Sequence, residues 1–205
     1  MSFIVRFFVK LTGIIPALIF YKPKYIKEKG KKSTKGLLVV SNHKSLLDYP
    51  LYIVTFWYKP IYTLIAEVLY SKNKLFSWFL NKLGGIKVDR DKKSVDFIEK
   101  SITLLDKGKT LLIFPEAQLP REGKMSELKP SWAYIALEAG VDILPVYTDG
   151  RYGIGKRTRV AMGAPVSVHE LAGLKGGESK EEAISKANSA LLNEFMRLKA
   201  VTEGK

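Results

Sequence analysis

The chain contains no cysteine and only two histidines, His43 and His169, in 205 residues. The first absence excludes disulfides and thiolate chemistry and leaves the compartment open. Two histidines far apart in sequence offer no ligand cluster, so neither a metal nor a cofactor is expected. Acids are scarce too: 20 Asp and Glu stand against 34 Lys and Arg, a net charge of +14. That balance suits an anionic partner, whether nucleic acid, membrane surface or phosphate-rich substrate, without choosing among them. There is no zinc spacing, no Arg-rich recognition helix and no RNA-binding aromatic signature, which disfavours nucleic acid. The Gly-x-Ser-x-Gly elbow of serine hydrolases is missing as well. No internal repeat or low-complexity linker divides the chain, and its length suits one domain with a proper core.

What is present centres on Ser41-Asn42-His43-Lys44-Ser45-Leu46-Leu47-Asp48, a polar octet after the aliphatic run Leu37–Val40. Such a run ending in Ser-Asn reads as a buried strand that stops, placing the octet at a strand's carboxyl end, where open α/β sheets hold ligands. His43 is then the obvious candidate base. An imidazole base needs an acceptor for its second nitrogen, and Asp48 lies five residues on. Within one continuous helix the two side chains would sit ~140° apart, so pairing requires His43 in the turn and Asp48 in the first turn of the next helix. Ser45-Leu46-Leu47-Asp48 is equally a capping pattern, with Ser45 as N-cap and Asp48 at the third helical position, and that reading leaves His43 a plain loop histidine.

Further along, Tyr49–Tyr58 reads as a buried helix, Ile61–Ile65 as a strand, Leu75–Leu83 as an aromatic-rich helix closed by Gly84, and Ile86–Val88 as a short strand. Val95, Ile98, Ile102 and Leu105 mark one helix face, Thr110–Phe114 the clearest strand, Pro130 to Gly140 a helix, Ile143–Tyr147 a strand and Arg159–Ala164 another. Ile184, Ala187, Leu191, Phe195 and Leu198 repeat at helical spacing along an amphipathic terminal helix. The expected fold is α/β: a single domain with a mostly parallel central sheet flanked by helices.

Four segments in order, Asn42-His43-x-Ser45-x-x-Asp48, Gly84-Gly85-Ile86-Lys87-Val88-Asp89-Arg90, Phe114-Pro115-Glu116 and Ile143-Leu144-Pro145-Val146, resemble the motif set of the glycerolipid acyltransferase family, best known for 1-acylglycerol-3-phosphate acyltransferases. The resemblance spans about Gly36 to Val146. It implies acyl transfer from acyl-CoA or acyl carrier protein to a lysophospholipid hydroxyl in phospholipid biosynthesis, with His43 and Asp48 catalytic. Asn42, Ser45, Arg90, Glu116, Arg121 and Pro145 would bind substrate: Arg90 grips the acceptor phosphate and Pro145 lines the acyl-donor site. Where the family reads Phe-Pro-Glu-Gly-Thr-Arg, this chain has Phe114-Pro115-Glu116-Ala117-Gln118-Leu119. The arginine is lost, and Arg121, two places later, is its nearest replacement. That departure admits an acceptor without a phosphate monoester as the alternative. Backbone amides at the start of the helix after His43 would stabilise the oxyanion.

Residues 1–21 are the most apolar stretch, but Arg6 and Lys10 interrupt it and its longest uncharged run, Leu11–Tyr21, is 11 residues. A spanning helix needs ~20. Ser2, Arg6, Lys10, Gly13 and Ala17 share one narrow face, which describes a helix lying in an interface; packing on the domain's own core is the alternative. Lys22–Lys35 follows with seven lysines and one acid, drawn to anionic head groups at ~1 kcal/mol per charge. The expected organisation is a membrane-associating helix and basic segment over 1–35 and an acyltransferase domain over 36–205. The protein would sit, peripheral or monotopic, at the cytoplasmic face of the cell membrane, with the lipid surface, acyl donor and lysolipid as partners and no nucleic acid.

Overall fold

The computed structural model describes residues 12–13, 15–30, 35–71, 73–88, 96–120 and 125–204. Among these, seven strands form one sheet: β1 (Lys24–Lys27), β2 (Leu37–Ser41), β3 (Ile61–Ala66), β4 (Gly85–Val88), β5 (Thr110–Ile113), β6 (Ile143–Thr148) and β7 (Arg159–Met162). Their order is β1-β7-β6-β2-β5-β3-β4. The strands β6, β2, β5, β3 and β4 run parallel, β7 is antiparallel to β6, and β1 is parallel to β7. The sheet is mostly parallel, as the continuous aliphatic runs require, since strands covered on both faces carry no polar alternation.

From Asp48 onward the helices among the described residues are α1 (Asp48–Thr55), α2 (Glu67–Tyr70), α3 (Lys74–Leu83), α4 (Asp96–Asp106), α5 (Ser131–Ala139), α6 (Val168–Ala172) and α7 (Lys180–Glu203). On one face of the sheet Leu105, Trp132, Leu191 and Phe195 from α4, α5 and α7 meet Leu38, Leu111 and Ile143. On the other, Leu51 and Tyr52 of α1 pack with Tyr21 against Val39, Leu112 and Val146. Trp132, Tyr52 and Phe195 are the largest fully buried side chains, each contributing about 1.5–3 kcal/mol of burial. Gly84 and Gly140 end α3 and α5, where the sequence reading puts the helix ends, and both adopt the left-handed conformation.

Two stretches near the start of the described chain extend the sequence reading. Lys24–Lys27 forms the outer strand, so the sheet takes in part of the basic segment set apart from the domain; Lys24 and Lys27 stay exposed, the usual protection of a sheet edge. Residues 15–21 are helical, with Ala17, Phe20 and Tyr21 against the core and Ile15, Leu18 and Ile19 exposed. The segment thus combines core packing on one side with an apolar outer face; its beginning, residues 1–11, lies outside the described residues. No helix among the described residues is long and apolar enough to cross a membrane.

Candidate active site

β2 lies between β5 and β6, so the octet leaves the sheet with the carboxyl ends of both neighbours beside it. Three long-range contacts fix its path. Asn42 is buried, its Nδ2 donating to the Thr148 carbonyl at 3.0 Å and its Oδ1 accepting from the Thr148 N–H at 2.8 Å, which pins the turn to the end of β6. Glu116, just beyond β5 and 1% exposed, accepts from the His43 N–H at 2.7 Å through Oε1 and from the Ser126 N–H at 3.0 Å through Oε2. Gly150 lies against the Lys44 side chain, where an added Cβ would come within 2.8 Å of the Lys44 Cβ. Buried and bonded to backbone, Asn42 and Glu116 hold the turn.

Asp48 is the first residue of α1 and fully buried. Its Oδ2 accepts from His43 Nδ1 at 2.7 Å, from the Lys44 N–H at 2.6 Å and from the Ser45 N–H at 2.9 Å, and its Oδ1 accepts from the Tyr152 hydroxyl. A buried carboxylate is tolerable when several donors replace the water it has lost. His43 sits in the turn and Asp48 in the first helical turn, the one arrangement in which residues five apart can meet. The Phe114 ring stacks on the imidazole at 4.2 Å and 16°, fixing its plane. With Nδ1 donating to the carboxylate, Nε2 is left as the basic nitrogen, and it has no hydrogen-bond partner among the described residues.

The capping reading is corrected: Leu47 occupies the N-cap position without a side-chain bond, and Ser45 Oγ accepts from the Leu47 N–H at 3.2 Å. The oxyanion expectation changes for the same reason. The amides of Lys44, Ser45 and Leu47 are committed to Asp48 and Ser45.

Tyr152, from the loop between β6 and β7, is the participant that sequence reading missed; it lies 104 residues from Asp48, and no local pattern marks it. Burial, and then the Asp48 charge, push its phenol well above the usual tyrosine range, so it remains a donor. Tyr21 packs edge-on against Tyr152 at 5.3 Å and donates to the Leu47 carbonyl at 2.9 Å. Burial first, and Asp48 second, push its pKa up to about 12. Pro145 lies within β6 in register with Val40, three residues below Thr148, and its carbonyl accepts from the Gly163 N–H at 2.9 Å. It is not gathered with His43. Arg90 and Arg121 fall outside the described residues. Described cations near this edge include Lys44, beside the Tyr147 ring, and the exposed Arg151, Lys156 and Arg157. No cluster of three or more metal-ligating side chains occurs among the described residues.

A histidine held by a buried aspartate at the carboxyl edge of a parallel sheet has the geometry of a base able to take a proton from a bound hydroxyl. The acyltransferase family model matches residues 19–149, well over half of the chain, and the chain belongs to that family. It is 31% identical over 148 residues to the protein named glycerol-3-phosphate acyltransferase 1 of Arabidopsis thaliana, covering 72% of this chain and 23% of the relative. To the chloroplastic 1-acyl-sn-glycerol-3-phosphate acyltransferase BAT2 of Brassica napus it is 28% identical, covering 69% of this chain and 41% of that one. The chain thus spans less than half the length of these two relatives. The 1-acyl-sn-glycerol-3-phosphate acyltransferase of Streptococcus pneumoniae is 24% identical over 96% of this chain and 75% of its own. The crystal structure of PlsC, the 1-acyl-sn-glycerophosphate acyltransferase of Thermotoga maritima, shares the fold, with a TM-score of 0.64 at 24% identity over 95% of this chain and 81% of that one.

Proposed function

We propose that the protein transfers a fatty acyl group from a thioester, acyl-CoA or acyl carrier protein, to the free hydroxyl of a lysophospholipid, with 1-acylglycerol-3-phosphate as the first candidate acceptor. The observation that carries this reading is the His43–Asp48 pair, a 2.7 Å contact to a fully buried carboxylate. His43 Nε2 takes the hydroxyl proton as that oxygen attacks the thioester carbonyl; the C–S bond breaks, and the proton passes to the departing sulfur. One ester and one thiol form from one alcohol and one thioester. A positioned base is worth about 10²–10⁴ in rate. With no cysteine in the chain, no thiol nucleophile intervenes.

Arg90 and Arg121 are the proposed phosphate ligands, since guanidinium grips phosphate through two parallel hydrogen bonds. Leu119, standing where the family carries arginine, favours a second reading, an acceptor without a phosphate monoester. Residues 1–35, with the apolar outer face of Ile15, Leu18 and Ile19 and the seven lysines after it, would keep the protein at the cytoplasmic face of the membrane. The deciding experiment incubates purified protein and membranes with labelled acyl-CoA and acyl carrier protein across a panel of lysolipids. A diacyl product from 1-acylglycerol-3-phosphate supports the first reading. Product only from acceptors lacking the phosphate monoester supports the second, and no acylated lipid from any acceptor refutes both.

A further inference from the structure

The loop between β6 and β7 is held at its neck and free at its tip. Asp149 Oδ1 accepts from the Arg151 and Arg159 N–H groups, each at 3.1 Å, and Thr158 Oγ1 donates to the Arg151 carbonyl at 2.7 Å. The Thr158 N–H donates to the Tyr21 carbonyl at 2.9 Å, and the Tyr152 hydroxyl donates to Asp48. A short loop closed at its base in this way is a compact unit, fit to carry binding groups.

The tip is cationic. The Arg151, Lys156 and Arg157 side chains are exposed, and none has an acidic partner among the described residues. The amides of Gly153, Ile154 and Gly155 have no hydrogen-bond partner among the described residues, and Gly153 and Gly155, at φ +125 and +80, put no side chain over them. Bare amides beside guanidinium and ammonium groups are the donors that phosphate oxygens take.

The place of the loop says which phosphate. β6 lies on one side of β2, and β5, β3 and β4 lie on the other. Arg90 and Arg121, proposed for the acceptor, follow β4 and β5 in the sequence, so the β6–β7 loop flanks His43 from the opposite side. Two phosphate-bearing molecules that meet at one imidazole repel each other unless separate cations hold them. Lys156 is four residues from Tyr152, whose hydroxyl reaches Asp48, so at most about 14 Å of chain lies between that cation and the support of the base.

We propose that the β6–β7 loop binds the phosphates of coenzyme A, holding the donor's carrier on the β6 side of His43. The donor's part in turnover rests on the acyl-transfer reading; the binding of coenzyme A does not. Arg151, Lys156 and Arg157 meet the diphosphate and the 3′-phosphate, and the glycine amides complete the cradle. Ile154, 85% exposed between them, offers the adenine an apolar surface. The acidic surface of a carrier protein would engage the side chains and leave the amides idle.

The test uses the full chain, with coenzyme A, dephospho-coenzyme A and pantetheine as probes in titration calorimetry. The triple variant Arg151→Gln, Lys156→Gln, Arg157→Gln changes exposed side chains, so circular dichroism and melting should match wild type. Its dissociation constant for coenzyme A should rise at least about tenfold, with a weaker dependence on salt. Wild type should bind coenzyme A more tightly than dephospho-coenzyme A, and pantetheine least. A control, Lys107→Gln, Lys109→Gln, Lys199→Gln, removes the same charge from other exposed positions and should bind like wild type. In turnover, the ratio of kcat/KM for acyl-coenzyme A to that for acyl-pantetheine should fall in the loop variant by the same factor. A further measurement needs no variant: coenzyme A should shield Lys156, and not Lys107, from reductive methylation read by peptide mass.

Equal coenzyme A binding by wild type and the loop variant, an equal loss in the control, or an unshielded Lys156 at saturation overturns the proposal. So does a loop variant that loses transfer from an acyl carrier protein alone, which would assign the loop to an acidic protein surface. Wild type that binds coenzyme A through the loop but acylates no lipid refutes the acyl-transfer reading and leaves the loop's role standing. Acylation of lipid without coenzyme A binding does the reverse.

Discussion

Replacing Asp48 by Asn removes one charge and leaves a side chain of nearly the same shape. The buried carboxylate accepts from His43 Nδ1, the Lys44 and Ser45 amides and Tyr152. An asparagine with its oxygen in the Oδ2 place still accepts from the first three, and its NH₂ meets a Tyr152 hydroxyl that can accept while donating to Thr148 Oγ1, 3.3 Å away. The geometry survives, and the missing element is the attraction between the carboxylate and the imidazolium formed during proton transfer. With charge centres about 4 Å apart and an effective dielectric constant near 20, that attraction is about 4 kcal/mol. It acts in the transition state and not on the neutral resting imidazole, so kcat should fall by about 10²–10³ with KM nearly unchanged. The assay is thiol release from an acyl thioester followed with a thiol reagent; a chain without cysteine contributes no background. If Asp48 only started the helix, Asn, a good residue at helix N-termini, would leave turnover within about threefold of wild type, and that result would refute the reasoning.

Tyr152→Phe removes the donor to Asp48 Oδ1 while keeping the ring packed on Tyr21, so kcat should drop about tenfold with KM unchanged, and stopped-flow thiol release checks this. Ala117 holds φ +55 where the resembled family carries glycine, so Ala117→Gly should raise stability by about 1 kcal/mol, read as a higher Tm. The phenols of Tyr21, Tyr52, Tyr147 and Tyr152 are raised chiefly by burial. Above pH ~10 the unfolded chain releases these protons and the folded chain keeps them, so folding stability is full below pH 10 and declines as pH rises through 10 to 12 and beyond. Each phenol contributes about 1.4 kcal/mol of that loss per pH unit, and urea titrations from pH 9 to 11 should show a steep fall in midpoint.

The parallel core of the sheet was legible because β2 and β5 carry unbroken aliphatic runs and β6 is a buried run interrupted by Pro145, and Gly84 and Gly140 mark helix ends. β1 was not: Lys-Tyr-Ile-Lys has two apolar residues between lysines, too short a pattern to tell an edge strand from a linker. In the site, the five-residue spacing of His43 and Asp48 carried its own geometric condition and could be read locally. Glu116 could be placed at the same edge once its strand was taken as parallel to β2. The hydrogen bonds that give Asn42, Glu116 and Tyr152 their work reach across 106, 73 and 104 residues. Such contacts depend on which strands become neighbours, and no local spacing encodes that order.

The central claim is that His43 moves the proton that makes an acceptor hydroxyl attack a thioester. The direct measurement is single-turnover formation of acylated lipid, quantified by mass beside released thiol, for wild type and His43→Ala with identical melting curves. The account predicts equal moles of ester and thiol from wild type, dependent on the lysolipid, and a rate lower by about 10²–10⁴ in the variant. Ester formation by His43→Ala at the wild-type rate would contradict it.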